Sequence, residues 1–284
     1  MASSQTMITA ADLHSLLQAQ SVTVLDASWY LPSDARDPRD EFLKAHIPGA
    51  QFFDIDQIAD AQHSCPHMLP SESVFESAME RLGVNRDADV VIYDGNGLFS
   101  APRAWWMFRV FGHERVRILE KGMPGWIAEG FSTESGVTSE KTVDARFIAT
   151  LQPDWLADIN AVNTALTDNA AIVLDARSAT RFAGEEPEPR QGVRPGHIPG
   201  SSNLHYASLL TGKPSQFRGL DELAALFQTA GCDGMRTIVT TCGSGISACI
   251  LALALHELGK SPVAVYDGSW AEWGSRADCP VERG

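Results

Sequence analysis

The chain repeats itself, and this constrains its architecture more than any other feature. Ser21-Val-Thr-Val-Leu-Asp26-Ala27 returns as Ala171-Ile-Val-Leu-Asp175-Ala-Arg177, and Lys44-Ala-His46-Ile-Pro-Gly49 returns within Arg194-Pro-Gly-His197-Ile-Pro-Gly200. Val90-Val-Ile-Tyr-Asp94-Gly-Asn-Gly97 aligns with Ile238-Val-Thr-Thr-Cys242-Gly-Ser-Gly245, and Val116 to Gly122 with Val263 to Gly268. The separations Asp26–Asp175, His46–His197, Asp94–Cys242 and Gly122–Gly268 are 149, 151, 148 and 146 residues. Four landmarks in nearly one register imply a tandem duplication of a unit of roughly 120 residues. The expected partition is a first domain over 1–137, a linker over 138–160 and a second domain over 161–284.

Each unit alternates short β-branched runs with helical patterns. Val22–Leu25, Val90–Tyr93, Val116–Leu119, Ile172–Leu174, Ile238–Thr241 and Val263–Tyr266 read as buried strands. Ser100–Phe111 and Ile246–Leu258 read as helices, the second apolar nearly all round and therefore buried against a sheet. Alternating strands and helices predict an α/β fold, each domain a central parallel sheet with helices on both faces. His46 and His197 are expected to pin the two His-Ile-Pro-Gly turns.

With 36 acidic against 22 basic side chains, the formal net charge is -14. That excludes non-specific nucleic-acid binding, which needs a basic surface. No run reaches the ~18 apolar residues of a membrane span. The start MASSQTMITAADLHSLL has neither a basic n-region nor an apolar h-region, so a cytoplasmic protein without membrane association is expected. Five cysteines at irregular spacings, with no C-x-x-C pair, support no metal site and fit a reducing compartment.

The repeat singles out Cys242. Ligands of open parallel sheets sit at the carboxyl ends of the strands. Cys242 stands at such an end, where the first unit carries Asp94. The two halves have diverged where chemistry would occur. Gly243, Gly245, Ile246 and Ser247 form a loop able to wrap N–H groups around one point, and the following helix adds its positive end. Such donors favour a thiolate, the nucleophilic form of cysteine. Other readings compete. Gly243-Ser-Gly245-Ile-Ser-Ala248 fits the dinucleotide pattern G-x-G-x-x-A, with Asp267 placed 24 residues after Gly243, but only 17 residues follow Asp267. A tyrosine-phosphatase loop needs Arg where Ala248 stands. A serine-hydrolase elbow fails because Cys242 and Cys249 occupy its glycine positions around Ser244 and Ser247. An inert buried cysteine stays open.

The tandem units, the His-Ile-Pro-Gly turns and an active-type loop in the second unit alone resemble the two-domain rhodanese superfamily. Cys242-Gly-Ser-Gly-Ile-Ser-Ala248 is similar to the CGSGVTA loop of its mercaptopyruvate-using branch; Ile246 and Ser247 are conservative departures. Further similar stretches are Phe52–Asp56, His67–Pro70, Leu98–Trp106, Glu186–Arg190 and Tyr266–Gly274. Thiosulfate-using members carry basic residues after the cysteine, in a CRKGVT-like loop, where this chain has Gly243 and Ser244.

The resemblance implies two tandem rhodanese-like domains and a sulfurtransferase. Cys242 would take sulfur from 3-mercaptopyruvate as a persulfide, release pyruvate, and pass the sulfur to cyanide, thioredoxin or a small thiol. It also implies that Arg181 and Arg190 bind the substrate's carboxylate and carbonyl. Ser244, His67 and Asp56 would form a relay protonating the pyruvate enolate, with the first half supplying the relay and the second the nucleophile. No metal or cofactor is implied. The rivals are a thiosulfate sulfurtransferase and a non-catalytic binding module of the same fold. Cys249 and Cys232 are expected to be inert, and Cys65 to be exposed in the loop before His67.

Overall fold

The structure is a computed structural model that describes residues 6–138, 146–168, 171–232 and 234–284. The chain divides into two compact units. The first takes residues 1–60, 69–152 and 212–216, the second 61–68, 153–211 and 217–284. Each unit therefore includes a short segment from the other half of the chain, an exchange for which the expected partition at 138–160 has no place. Periodicity is read along the chain, and such an exchange is tertiary.

In the first unit the strands are β1 (Met7–Ile8), β2 (Thr23–Asp26), β3 (Gln51–Phe52), β4 (Val90–Tyr93) and β5 (Val116–Leu119). In the second they are β6 (Leu156–Ala157), β7 (Ala171–Asp175), β8 (Ser202–Asn203), β11 (Thr237–Thr241) and β12 (Ala264–Tyr266); a short pair, β9 (Leu210–Thr211) and β10 (Gln216–Phe217), lies between β8 and β11 in the chain. The sheet orders are β1-β5-β4-β2-β3 and β6-β12-β11-β7-β8. These are one order written twice, and the strand pairings in both sheets are parallel. The predicted strands match within about one residue. The edge strands β1, β3, β6 and β8 went unread because two residues carry no periodicity; β6 falls inside the stretch expected as linker.

The helix Ala248–Glu257 is buried along Ala248–Leu255, as its all-round apolar pattern predicts. It starts two residues later than expected because Gly245 (φ 79°) turns the chain first. Each of Leu251, Leu253 and Leu255 stabilises the fold by roughly 1.5–3 kcal/mol on burial, so the helix is firmly anchored and fixes the loop before it.

The two histidines do pin their turns. His46 Nδ1 meets Phe42 O at 2.8 Å and its ring stacks on Phe42; His197 Nδ1 meets Phe182 O at 2.8 Å and stacks on Phe182. The backbones of His46 and His197 bridge to Glu134 and Glu282.

The end of β2 carries a buried carboxylate. Burial pushes Asp26 up to about 6, against hydrogen bonds from Ser28 and Tyr93 that favour its charged form. Between roughly pH 4 and 6 the folded chain therefore binds more protons at Asp26 than the unfolded chain. Stability from this group is full at low pH and lost as pH rises through about 6. Asp26→Asn is expected to stabilise the fold at pH 7.5 by on the order of 2 kcal/mol, seen as a higher melting temperature, and to give no gain at pH 4. Melting curves at the two pH values check this; an equal shift at both would reject it.

Candidate active site

Both sheets present one point of special chemistry, and the first unit shows what its geometry holds. β2 and β4 are neighbours; from β2 the chain passes to β3 on one side, and from β4 to β5 on the other. The crevice at this divergence is where open α/β sheets bind ligands. Asp94 sits there, immediately after β4. One carboxylate oxygen accepts from Asn96 N (2.9 Å), the other from Phe99 N (2.7 Å), Ser100 N (2.9 Å) and Ala101 N (2.9 Å). Four amides converge on one buried anion. Asp94→Ala leaves them without it and is expected to cost about 2–3 kcal/mol of stability, read from denaturant melts.

Cys242 holds the matching place after β11, and Ser244, Ser247 and Ala248 align with Asn96, Phe99 and Ser100. Its side chain is 2% exposed. The helix Ser269–Trp273 holds the loop backbone: Trp270 N donates to Cys242 O (2.9 Å) and Ala271 N to Gly243 O (3.0 Å). Ser269 Oγ accepts from Cys242 N (3.3 Å), lies 4.0 Å from Cys242 Sγ and donates to Tyr266 O (2.8 Å). Ser269 has φ 50°, a conformation unusual for a residue with a side chain. The sequence reasoning missed Ser269. The signal was present: the repeat aligns Gly268 with Gly122, and the next position changes from Met123 to Ser269.

Two arginines face this loop. A Cβ added at Gly243 would lie 3.1 Å from Arg181 Nη2 and 3.6 Å from Nη1, so glycine is what lets the guanidinium close on the backbone. Arg181 is held by Glu188, which also takes Arg177 at 2.8 Å; Glu188 is 3% exposed. Arg177 in turn pairs with Asp175 and lies over the Trp270 ring. Burial would lower the Arg177 pKa, but the Asp175 and Glu188 carboxylates outweigh it and hold it above its ordinary value. The Arg181–Glu188 pair is part-buried, with Glu188 the enclosed partner. Arg190 is half-buried, and among the described residues no carboxylate pairs with it at salt-bridge distance. Burial pulls its pKa below the ordinary arginine value, and the Arg181 charge adds to that; Cys242 and Glu188 act in the opposite direction. A cation in this state gains most from an anionic ligand.

The other expected site residues divide between the units. His67, buried and at φ 62°, belongs to the second unit with Cys242, Ser244, Arg181 and Arg190. Asp56 belongs to the first, where Trp29 Nε1 donates to its carboxylate at 3.2 Å. Cys249 is buried and donates to Gly245 O (3.2 Å). Cys65, expected to be exposed, is buried at 9% exposure because its segment packs into the second unit. A separate cavity of about 950 Å³ opens at the amino ends of β7, β11 and β12, between Ala165, Phe227 and Leu258, and contains none of the expected site residues.

Comparison with known proteins agrees with this architecture. The rhodanese-like domain model matches residues 9–129 and again 158–276. The chain is 44% identical to human 3-mercaptopyruvate sulfurtransferase over 91% of its length and 86% of the relative's. It is 39% identical to the mitochondrial thiosulfate/3-mercaptopyruvate sulfurtransferase 1 of Arabidopsis thaliana, over 99% and 79%. The crystal structure of SseA from Escherichia coli superposes with a TM-score of 0.85 at 37% identity, covering 94% of this chain and 99% of SseA. The duplicated parallel sheets, the divergent loop at Cys242 and these matches make the chain a member of the rhodanese-like family, with two tandem copies of the domain.

Proposed function

We propose that the protein is a 3-mercaptopyruvate sulfurtransferase. The observation that carries this is the replacement of Asp94 by Cys242 at a point where the fold gathers four amides on an anion. In the second unit the anion is a thiolate, and after reaction a persulfide. The Cys242 thiolate attacks the substrate sulfur. The C3–S bond breaks, its electrons pass into the enolate of pyruvate, and a proton at C3 completes pyruvate. An acceptor thiol or cyanide then removes the outer sulfur and restores Cys242.

Arg190 supports the donor assignment. A half-buried guanidinium with no carboxylate at salt-bridge distance among the described residues suits the carboxylate of a 2-oxo acid, and Arg181, held by Glu188, suits the neighbouring carbonyl. Ser244, two residues after the nucleophile in the loop and 8% exposed, is assigned proton delivery, backed by His67 and oriented by Asp56. Among the described residues no helix is long and apolar enough to cross a membrane, and the cytoplasmic setting expected from the sequence belongs to this proposal.

Thiosulfate use is the second reading, since the Arabidopsis relative is named for both donors. The neutral Gly243-Ser244 pair disfavours it, because thiosulfate is a dianion and gains from basic residues beside the cysteine. Donor profiling decides: kcat/KM is expected to be higher for 3-mercaptopyruvate, with stoichiometric pyruvate and a transient mass gain of about 32 Da, one sulfur, on Cys242. A preference for thiosulfate overturns the donor; no pyruvate and no adduct would favour a binding module.

A further inference from the structure

Glu188 is an enclosed carboxylate between two cations. Its side chain is 3% exposed, against 1% for Arg177 and 24% for Arg181. Arg177 Nη1 donates to Glu188 Oε1 at 2.8 Å and Arg181 Nε to the same oxygen at 3.4 Å, while Arg181 Nη2 donates to Oε2. Arg177 has a second carboxylate, Asp175, on its Nε and Nη2. Arg181 has no other carboxylate at salt-bridge distance among the described residues. Glu188 thus grips Arg181 side-on, by its Nε–Nη2 edge, and leaves the Nη1–Nη2 edge for other work. That outer edge lies against the backbone directly after the nucleophile: a Cβ on Gly243 would meet Nη2 at 3.1 Å and Nη1 at 3.6 Å. The group Asp175, Arg177, Arg181 and Glu188 holds two carboxylates and two guanidiniums, so its net charge is zero. Gly243 and Ser244 add no charge to it.

We propose that Glu188 is a positioning residue that sets the choice of sulfur donor by aiming the outer edge of Arg181 at a carbonyl oxygen and cancelling the charge that a dianionic donor would need. This rests on the sulfurtransferase reading above. A 2-oxo thiol acid brings one negative charge, on the carboxylate that the proposed function gives to Arg190. Its carbonyl is a dipole, and it gains from a donor held in one direction. Thiosulfate brings two negative charges and no carbonyl. Replacing Glu188 by a neutral residue gives the group one net positive charge and frees Arg181 to turn. The dianion then gains one more charge–charge interaction than the monoanion does, and the carbonyl loses its aimed donor. Glu186, two residues away and exposed, is engaged elsewhere: it accepts from the Ser178 hydroxyl at 3.2 Å and the Thr180 hydroxyl at 2.9 Å. The same formal charge at Glu186 therefore serves as a control.

The test measures kcat and KM of the full chain for 3-mercaptopyruvate and for thiosulfate at pH 7, with cyanide as acceptor. Glu188→Gln is expected to raise the ratio of kcat/KM for thiosulfate over 3-mercaptopyruvate by about tenfold. The gain should come from a lower KM for thiosulfate and a lower kcat for 3-mercaptopyruvate, and its thiosulfate part should shrink as salt is added. Glu188→Asp keeps the charge and should hold the ratio within about twofold of the parent, even where both activities fall. Glu186→Gln should leave the ratio at the parent value. The ratio does not depend on how much enzyme is folded, so a lower melting temperature does not obscure it; Glu188→Ala repeats the measurement if the glutamine variant does not fold. Both donors falling together in Glu188→Gln, with the ratio unchanged, overturns the proposal and leaves the sulfurtransferase reading intact. An equal shift in Glu186→Gln also overturns it, since any lost negative charge would then act alike. A parent chain that prefers thiosulfate, or uses neither donor, removes the donor reading and the Glu188 role with it.

Discussion

Cys242→Ser is expected to lower pyruvate formation from 3-mercaptopyruvate by at least about 10³-fold, with no sulfur adduct by intact mass, while the melting temperature stays near that of the parent. The serine replaces sulfur by oxygen in a site 2% exposed and leaves the anchors of the loop, Trp270 N to Cys242 O and Ala271 N to Gly243 O, in place because they are backbone bonds. The chemistry is lost because a hydroxyl is scarcely ionised at neutral pH and forms no stable counterpart of the persulfide. Steady-state assay, intact mass and a thermal melt on one preparation check the three parts. Substantial residual transfer would sink the covalent mechanism, and a collapsed melt would show that Cys242 is needed for the fold.

Arg190→Gln is expected to lower kcat/KM for 3-mercaptopyruvate by about 10²–10³-fold, or 3–4 kcal/mol. The loss should fall mainly on KM, because in the proposed role Arg190 would bind the carboxylate equally before and during the reaction. Arg190→Lys should recover only part of it, since an ammonium cannot present two parallel donors. Arg181→Gln should differ in kind. Arg181 neutralises Glu188, a carboxylate 3% exposed, so its loss is expected to lower the melting temperature as well as activity. Among the described residues Arg190 has no such buried partner, and its substitution should leave the melting temperature nearly unchanged. Equal melting shifts for both variants would contradict this division of roles.

The repeat gave the fold class and the position of Cys242 directly. Strand β4 was legible to the residue because its run is apolar and fully buried, β5 because apolar residues flank the partly buried Arg117, and the helix after Cys242 because it is apolar on every side. The two-residue edge strands were not, since a strand that short is defined by its neighbour. Arg181 and Arg190 could be named only through resemblance; nothing in their spacing distinguishes a substrate clamp from surface pairs. Glu188, which holds Arg181, lay in plain view without a pattern, whereas Ser269 was marked in the repeat only by the change from Met123.

The sequence by itself determined that two copies of one α/β unit exist and that they differ at one strand end, because duplication and hydrophobic period are properties of order along the chain. Only the tertiary structure decided which side chains surround that end. Four amides on Asp94, the glycine that admits Arg181, the buried Glu188 bridge and the packing of Cys65 into the second unit depend on which residues distant in the chain come within a few ångströms, and burial, charge and hydrogen bonding act over that range.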